Sequence, residues 1–363
     1  MNENYVTLGQ VCDKGSSNIA QKDLAEKEGQ YPIYGAAGLI KNVDFAHQKQ
    51  PYIAVVKDGA GIGRVMKLPA YSSVIGTMQY IFPKENVDID YLFYALQHMN
   101  LGKYFSGSTI PHIYFRDYQK ERLKLPVMEV QQRQADTLSR IDALSSYGQR
   151  QIALMDELVK SRFVEMFGDP LSNPMGWKKE AADRHIDLLS GYPFQSEQYV
   201  EKGINICGGL IIMPQRIQWN ECKHWPSVEG FEEYVLMQGD IVMALDRPWI
   251  SEGFKIAQVD AEHLPALLIQ RTARIRGKDV NQEYLYHCFL NGGFDKHSNI
   301  TGSLVPHISA KDIRSFEIML PPLELQNRFA AFVSEVDKSK LAVQQSLEKL
   351  ETLKKSLMQR YFG

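Results

Sequence analysis

The chain holds 363 residues, 44% of them hydrophobic and 23% charged, with a formal net charge of −2. Its length excludes one small module, and its composition excludes a disordered or membrane-spanning chain, since no run approaches about 18 consecutive apolar residues. A charge near zero carries no global sign of a nucleic-acid partner, so any DNA contact has to be local.

In chain order, Met1-Asn2-Glu3-Asn4-Tyr5 has neither a basic nor an apolar leader region. Cys12, Cys207, Cys222 and Cys288 are too scattered for a disulfide framework. Both observations point to a cytoplasmic protein with no membrane partner. Tyr52 to Lys57 and Arg64 to Lys67 read as strands flanking Asp58-Gly59-Ala60-Gly61-Ile62-Gly63. These glycines lack the ending of a P-loop and the spacing of a dinucleotide fold. They suit a plain hairpin turn or a turn touching a DNA backbone, with Lys57 and Arg64 at its edges. Tyr91 to Met99 reads as a short helix.

Gly107-Ser108-Thr109-Ile110-Pro111-His112-Ile113 follows, and then Pro126, placed where a helix start needs no N–H. From Glu129 to Phe167, steps of four and three residues pass through Gln134, Leu138, Ile141, Ser145, Gly148, Ile152, Met155, Val159, Arg162 and Met166. Leu144, Leu154, Leu158 and Phe163 widen that stripe. At about 1.5 Å per residue the helix runs about 58 Å, longer than a small domain is wide, so it expects a partner helix. Gly168 and Pro170 stop it.

The second half begins with Gly191-Tyr192-Pro193-Phe194, a packed turn. Cys222-Lys223-His224 holds two metal-ligand types, but its spacing matches no zinc pattern. Asp240 to Leu245 and Phe254 to Val259 read as strands around the turn Asp246-Arg247-Pro248-Trp249. Arg271, Arg274 and Arg276 follow, the last two sharing one strand face that either meets DNA or is simply solvated. Tyr284 to Leu290 reads as a helix.

Gly302-Ser303-Leu304-Val305-Pro306-His307-Ile308 then repeats the earlier junction at an offset of 195, which holds without a gap to Phe362-Gly363. Asp117, Pro126, Glu129, Gln131, Arg133 and Asp142 recur as Asp312, Pro321, Glu324, Gln326, Arg328 and Asp337. The second helical seam is Phe329, Val333, Val336, Lys340, Val343, Leu347, Leu350, Lys354, Leu357 and Tyr361. Two equal helices in one register pack most economically on each other. Parallel packing would crowd the globular parts, so an antiparallel pair with a pseudo-two-fold repeat is expected. The expected class is α+β: small α/β domains at 1–126 and 169–320, and long helices at 127–168 and 321–363. The helix-pair and partner-docking positions are Leu138, Ile141, Ile152, Met155, Val336, Val343, Leu347, Leu350 and Leu357.

His112 and His307 recur, but each lies at a domain-to-helix junction, where a structural hydrogen bond or a DNA contact is more natural than catalysis. The chain contains no amino-methyltransferase loop, Walker A motif, nuclease carboxylate cluster or nucleophile elbow. A non-catalytic chain is therefore expected, and neither cofactor nor metal is expected on it. A scaffold binding only proteins, or a divergent DNA-modifying enzyme, are the competing readings.

Over essentially its whole length the sequence resembles the specificity (S) subunit of type I restriction-modification systems. The resemblance rests on the duplicated Gly-Ser-x-x-Pro-His-Ile junctions, the Leu-Pro-x-x-Glu-x-Gln-x-Arg stretches at 125–133 and 320–328, and paired helices ending in Phe-Gly. Tyr31-Pro32-Ile33-Tyr34-Gly35-Ala36-Ala37-Gly38 adds to it. It implies two target-recognition domains, each reading half of a split double-stranded DNA target. It also implies helices that set the spacer and dock two methyltransferase (M) subunits, with restriction (R) subunits joining; S-adenosylmethionine, ATP and Mg²⁺ belong to those partners. The DNA-contact candidates are Lys57, Gly59, Gly61, Arg64, Ser108, His112, Arg247, Trp249, Arg271, Arg274, Ser303 and His307.

Overall fold

The computed structural model describes residues 5–107, 111–298 and 306–363. Tertiary contacts divide the chain into two units, 1–150 with 343–363, and 151–342. The long helices Met128–Phe167 and Leu323–Phe362 are therefore each shared between the units.

In the first unit, a four-stranded sheet runs in the order Cys12–Ser16, Met78–Pro83, Tyr52–Val56, Val65–Leu68, all neighbours antiparallel. A three-stranded sheet places Tyr31–Gly35 between Gly38–Val43, antiparallel, and Ser73–Val74, parallel. Tyr5–Thr7 pairs with Arg122–Lys124. The central strand Tyr52–Val56 is buried on both faces, which explains its unbroken apolar run.

The second unit repeats this plan. Its four-stranded sheet is Ile186–Ser190, Thr272–Gly277, Ile241–Ala244, Ile256–Gln258. Its three-stranded sheet places Ile204–Cys207 between antiparallel Lys223–Trp225 and parallel Ala266–Leu268, and Lys179–Ala181 pairs with Glu317–Met319. Two small hairpins are additions here, Ile212–Met213 with Arg216–Ile217, and Trp249–Ile250 with Gly253–Phe254. The expected strand from Phe254 to Val259 is thus split: Phe254 belongs to the second hairpin, and only Ile256–Gln258 joins the sheet.

The recurring residues are explained by recurring hydrogen bonds. Asp88 caps the helix Ile89–His98 by accepting from the N–H groups of Asp90 and Tyr91, and Asn281 caps Gln282–Asn291 through Glu283 and Tyr284. The cap residue's own N–H donates to a buried glutamine on the following long helix, Asp88 to Gln131 and Asn281 to Gln326, both at 2.9 Å. Those amides donate back to the carbonyls of Pro126 and Pro321, each at 2.8 Å. Tyr91 and Tyr284 donate their hydroxyls to the carbonyls of Lys124 and Met319.

Within each unit the helix segments run antiparallel. In the first, Lys354 Nζ lies 2.5 Å from Asp142 Oδ1, and a Cβ on Gly148 would stand 2.8 Å from Leu347. In the second, Lys340 Nζ lies 2.5 Å from Asp156 Oδ1, and Arg162 stacks over Phe332 at 5.6 Å. Every seam position from Gln134 to Met166 and from Phe329 to Tyr361 is buried or half-buried. Leu138, Ile141 and Val336 are buried, while Ile152, Met155, Val343, Leu347, Leu350 and Leu357 are half-buried. Phe163 is buried, but Leu144, Leu154 and Leu158 do not widen the seam: they are 53%, 46% and 50% exposed. An antiparallel pair needs only a narrow a/d stripe, so apolar side chains beyond it face outward.

Candidate nucleic-acid interface

The first unit gathers its candidates where the loop after Tyr52–Val56 meets the junction before the first long helix. Gly63 N donates to Val56 O and Val56 N to Arg64 O, so the glycine loop closes as a tight hairpin. Gly59, Gly61 and Gly63 all have φ above +80°, the left-handed region that favours glycine. At Gly63 a Cβ would stand 2.3 Å from the backbone nitrogen of Gly102, so this glycine is also required by close approach. Gly59 N donates to Pro111 O and Ile113 N to Lys57 O, tying the loop to the junction.

The side chains complete the connection. His112 Nδ1 donates to Asp58 Oδ1 at 2.6 Å, and Lys57 Nζ donates to Asp58 Oδ2 at 2.6 Å. Burial by itself would raise the Asp58 carboxyl, but these two partners outweigh it and hold it below the usual carboxylate range. His112 stacks on Tyr114, over which Arg116 lies at 4.8 Å. Arg64 is exposed and ties back through its guanidinium to Ala36 O at 2.8 Å.

The second unit repeats the arrangement with different residues. Leu245 and Asp246 take the places of Lys57 and Asp58: Ile308 N donates to Leu245 O, and Asp246 bridges His307 as Asp58 bridges His112. Arg247 occupies the place of Gly59, its N–H donating to Pro306 O, and it keeps a left-handed φ of +46°. Arg271 also has a positive φ, and its guanidinium lies 3.2 Å from Asp246 Oδ2. Lys255 stands where Arg64 stands, its N–H donating to Pro248 O and its amine to Gly209 O. Desolvation, then the nearby Arg247, lowers the pKa of Lys255.

Lys57, Gly59, Gly61, Arg64 and His112 are thus brought together in one unit, and Arg247, Arg271 and His307 in the other. Trp249 lies half-buried against Phe254 and Phe294, with ring centroids 4.7 Å and 6.4 Å away. Arg274 is a correction. It is only 5% exposed, donating to Asp187 and to Glu233 O, because its sheet is covered on the face it shares with Arg276. Arg276 forms a two-pronged pair with Asp240 at 2.5 and 2.7 Å. Both arginines hold structure, and Arg274 leaves the set of DNA-contact candidates. Ser108 and Ser303 lie outside the described residues.

The sequence places Asp58 and Asp246 only in turns and Lys255 only in a strand, and none of the three is among the contact candidates. The acids recur at an offset of 188 instead of 195, because the segments between them and the histidines differ in length, and an ungapped comparison passes over that pairing. Cys222 Sγ lies 3.8 Å from His224 Nε2, but among the described residues no three His, Cys, Asp or Glu side chains converge as a metal site. Among the described residues no helix is long and apolar enough to cross a membrane.

A family model described as the type I restriction modification DNA specificity domain matches residues 2–154 and 231–353. The chain is 25% identical over 327 residues to the type I restriction enzyme MjaVIII specificity subunit of Methanocaldococcus jannaschii, covering 84% of this chain and 77% of that protein. It is 32% identical over 177 residues to the EcoAI specificity subunit of Escherichia coli, covering 46% of this chain and 29% of that one. The crystal structure of a type I restriction-modification S subunit from M. genitalium aligns with a TM-score of 0.65 at 16% identity, covering 100% of this chain and 97% of that one, a likeness of fold. The two stretches matched by the family model reach into both structural units and span more than half of the sequence, and the chain therefore belongs to the type I restriction-modification DNA specificity family.

Proposed function

We propose that each unit reads one half of a bipartite double-stranded DNA target through the clusters around Asp58 and Asp246. The single observation that carries this reading is the duplicated acid-to-junction link, Asp58 with His112 and Asp246 with His307, kept while the neighbouring side chains change from Lys57 and Gly59 to Leu245 and Arg247. A constant scaffold with altered side chains is what two different half-sites require. Lys57, Arg64, Arg247 and Arg271 position phosphates, and neighbouring loop side chains read base edges.

In this reading the chain is non-catalytic. Its helices set the spacer and dock two M subunits, with R subunits joining them. Leu144, Leu154, Leu158, Leu341 and Leu353 support the docking, because they are apolar and about half exposed on the helices. S-adenosylmethionine, ATP and Mg²⁺ then belong to the partners, and the assembly works in the cytoplasm. A net charge of −2 fits a subunit that selects sequence while partners supply much of the phosphate neutralisation.

The test is a domain exchange. Replacing residues 1–125 with the matching domain of another S subunit should change one half of the methylated sequence and leave the other half intact. A change in both halves, or in neither, would refute the modular assignment.

A further inference from the structure

Two leucines stand out on the recognition units. Leu39 is 60% exposed and Leu210 is 88% exposed. One exposed leucine is ordinary and needs no explanation. These two, however, share a short Gly-Leu-Ile pattern placed soon after the middle strand of the three-stranded sheet, Tyr31–Gly35 in one unit and Ile204–Cys207 in the other. Leu39 stands near the start of the edge strand Gly38–Val43, and Leu210 in the turn ahead of the hairpin strand Ile212–Met213. In both, the isoleucine turns inward: Ile40 packs against the core under its sheet, and Ile211 is 5% exposed. The leucine is left outside in both units, so core packing does not account for it.

Each leucine also stands beside the cationic cluster. Arg64 reaches Ala36 O, three residues before Leu39, and Lys255 reaches Gly209 O, immediately before Leu210. A Cβ at Gly209 would stand 3.7 Å from the carbonyl oxygen of Arg271, whose guanidinium pairs with Asp246. An exposed apolar side chain beside an exposed arginine, Arg64 for Leu39 and Arg271 for Leu210, suits one kind of surface, a polyanion carrying apolar groups. The major groove offers one apolar group on its base edges, the C5-methyl of thymine, within reach of side chains whose neighbours hold phosphates.

We propose that Leu39 and Leu210 are specificity-determining residues that each pack on a thymine methyl in the major groove, one in each half-site. The inference rests on the reading of the two units as DNA-recognition units. Loss of a methyl contact removes roughly one methylene's worth of apolar burial, about 0.8 kcal/mol, or about fourfold in affinity.

The experiment uses the complex of this chain with its M subunits, and duplexes carrying the site mapped from methylated genomic DNA. Deoxyuridine replaces each thymine in turn, removing the methyl and leaving base pairing intact. One thymine in each half-site should weaken wild-type binding about fourfold when replaced. Leu39→Ala should abolish that sensitivity in one half-site only, and Leu210→Ala in the other half-site only. Undiminished thymine sensitivity in the variants, or none in the wild type, overturns the proposal. Failure of either variant to assemble with M subunits, with unchanged thermal unfolding of the isolated chain, also overturns it by placing the leucine at a protein interface. A wild-type complex without preference for the mapped site would instead refute the underlying DNA-recognition reading.

Discussion

Phe362 packs its ring against Tyr91, with centroids 5.1 Å apart. Phe167 meets Tyr284 in the same manner at 4.7 Å. Each tyrosine lies in the first turn of a helix of a globular part, while each phenylalanine ends the long helix that started from the other sequence copy. The repeated Phe-Gly is thereby accounted for: antiparallel packing delivers the end of each helix to the opposite repeat's globular part.

That contact gives the first prediction. Phe167 is fully buried among Phe163, Tyr284 and Phe329, so Phe167→Ala should cost about 3–5 kcal/mol in the unit that holds it. Phe362 is 8% exposed, and Phe362→Ala should cost less. Urea unfolding of both variants checks the order.

Gln131 and Gln326 are the second case. Each is nearly inaccessible and holds a helix-cap N–H and a proline carbonyl at once. Replacement by Leu keeps the apolar volume but strands those backbone groups, each costing about 1–3 kcal/mol if left unsatisfied. Gln131→Leu and Gln326→Leu should each lower unfolding free energy by about 2 kcal/mol or more, measured by denaturant titration.

The third concerns pH. Burial pushes the Asp58 carboxyl up, but Lys57 and His112 together draw it below its unfolded value of 3.8. Folding therefore favours the ionised form. This stabilisation is fully present above the unfolded pKa and is lost as pH falls through the depressed folded value. Because Asp58 is partly exposed, the contribution should be about 1 kcal/mol at pH 7. Asp58→Asn should remove it, so wild type and variant should converge in stability on acidification, as followed by thermal unfolding.

Arg271 and Arg274 provide the fourth. Arg271 is largely exposed beside Asp246, so Arg271→Ala should weaken DNA binding of the complex about evenly across sequences and reduce its salt slope by about 1. Arg274 is buried on Asp187, and Arg274→Ala should instead destabilise the fold by about 2 kcal/mol. Affinity measured at several salt concentrations, alongside melting curves, separates these roles.

The duplication and the helical seam were legible in the sequence because helical contacts have a fixed period and the repeat runs ungapped through both helices. Leu138, Val336 and their neighbours could be placed by counting alone. Leu144 and Leu158 could not, because the width of a buried stripe depends on how closely the partner helix approaches along its length. In the globular parts, the equivalence of Asp58 with Asp246 and of Arg64 with Lys255 was obscured by segments of unequal length. Strand pairing restores it, since hydrogen-bond registers survive insertions that shift residue numbers.

The order of the elements, the two copies and their antiparallel helices were thus determined by the sequence, through local periodicity and repetition. Which charged side chains face solvent was decided by the tertiary structure. Arg271 and Arg274 lie three residues apart and look alike as letters. A left-handed backbone turn holds the first just ahead of the strand Thr272–Gly277, and an acid on the adjoining strand draws the second under cover.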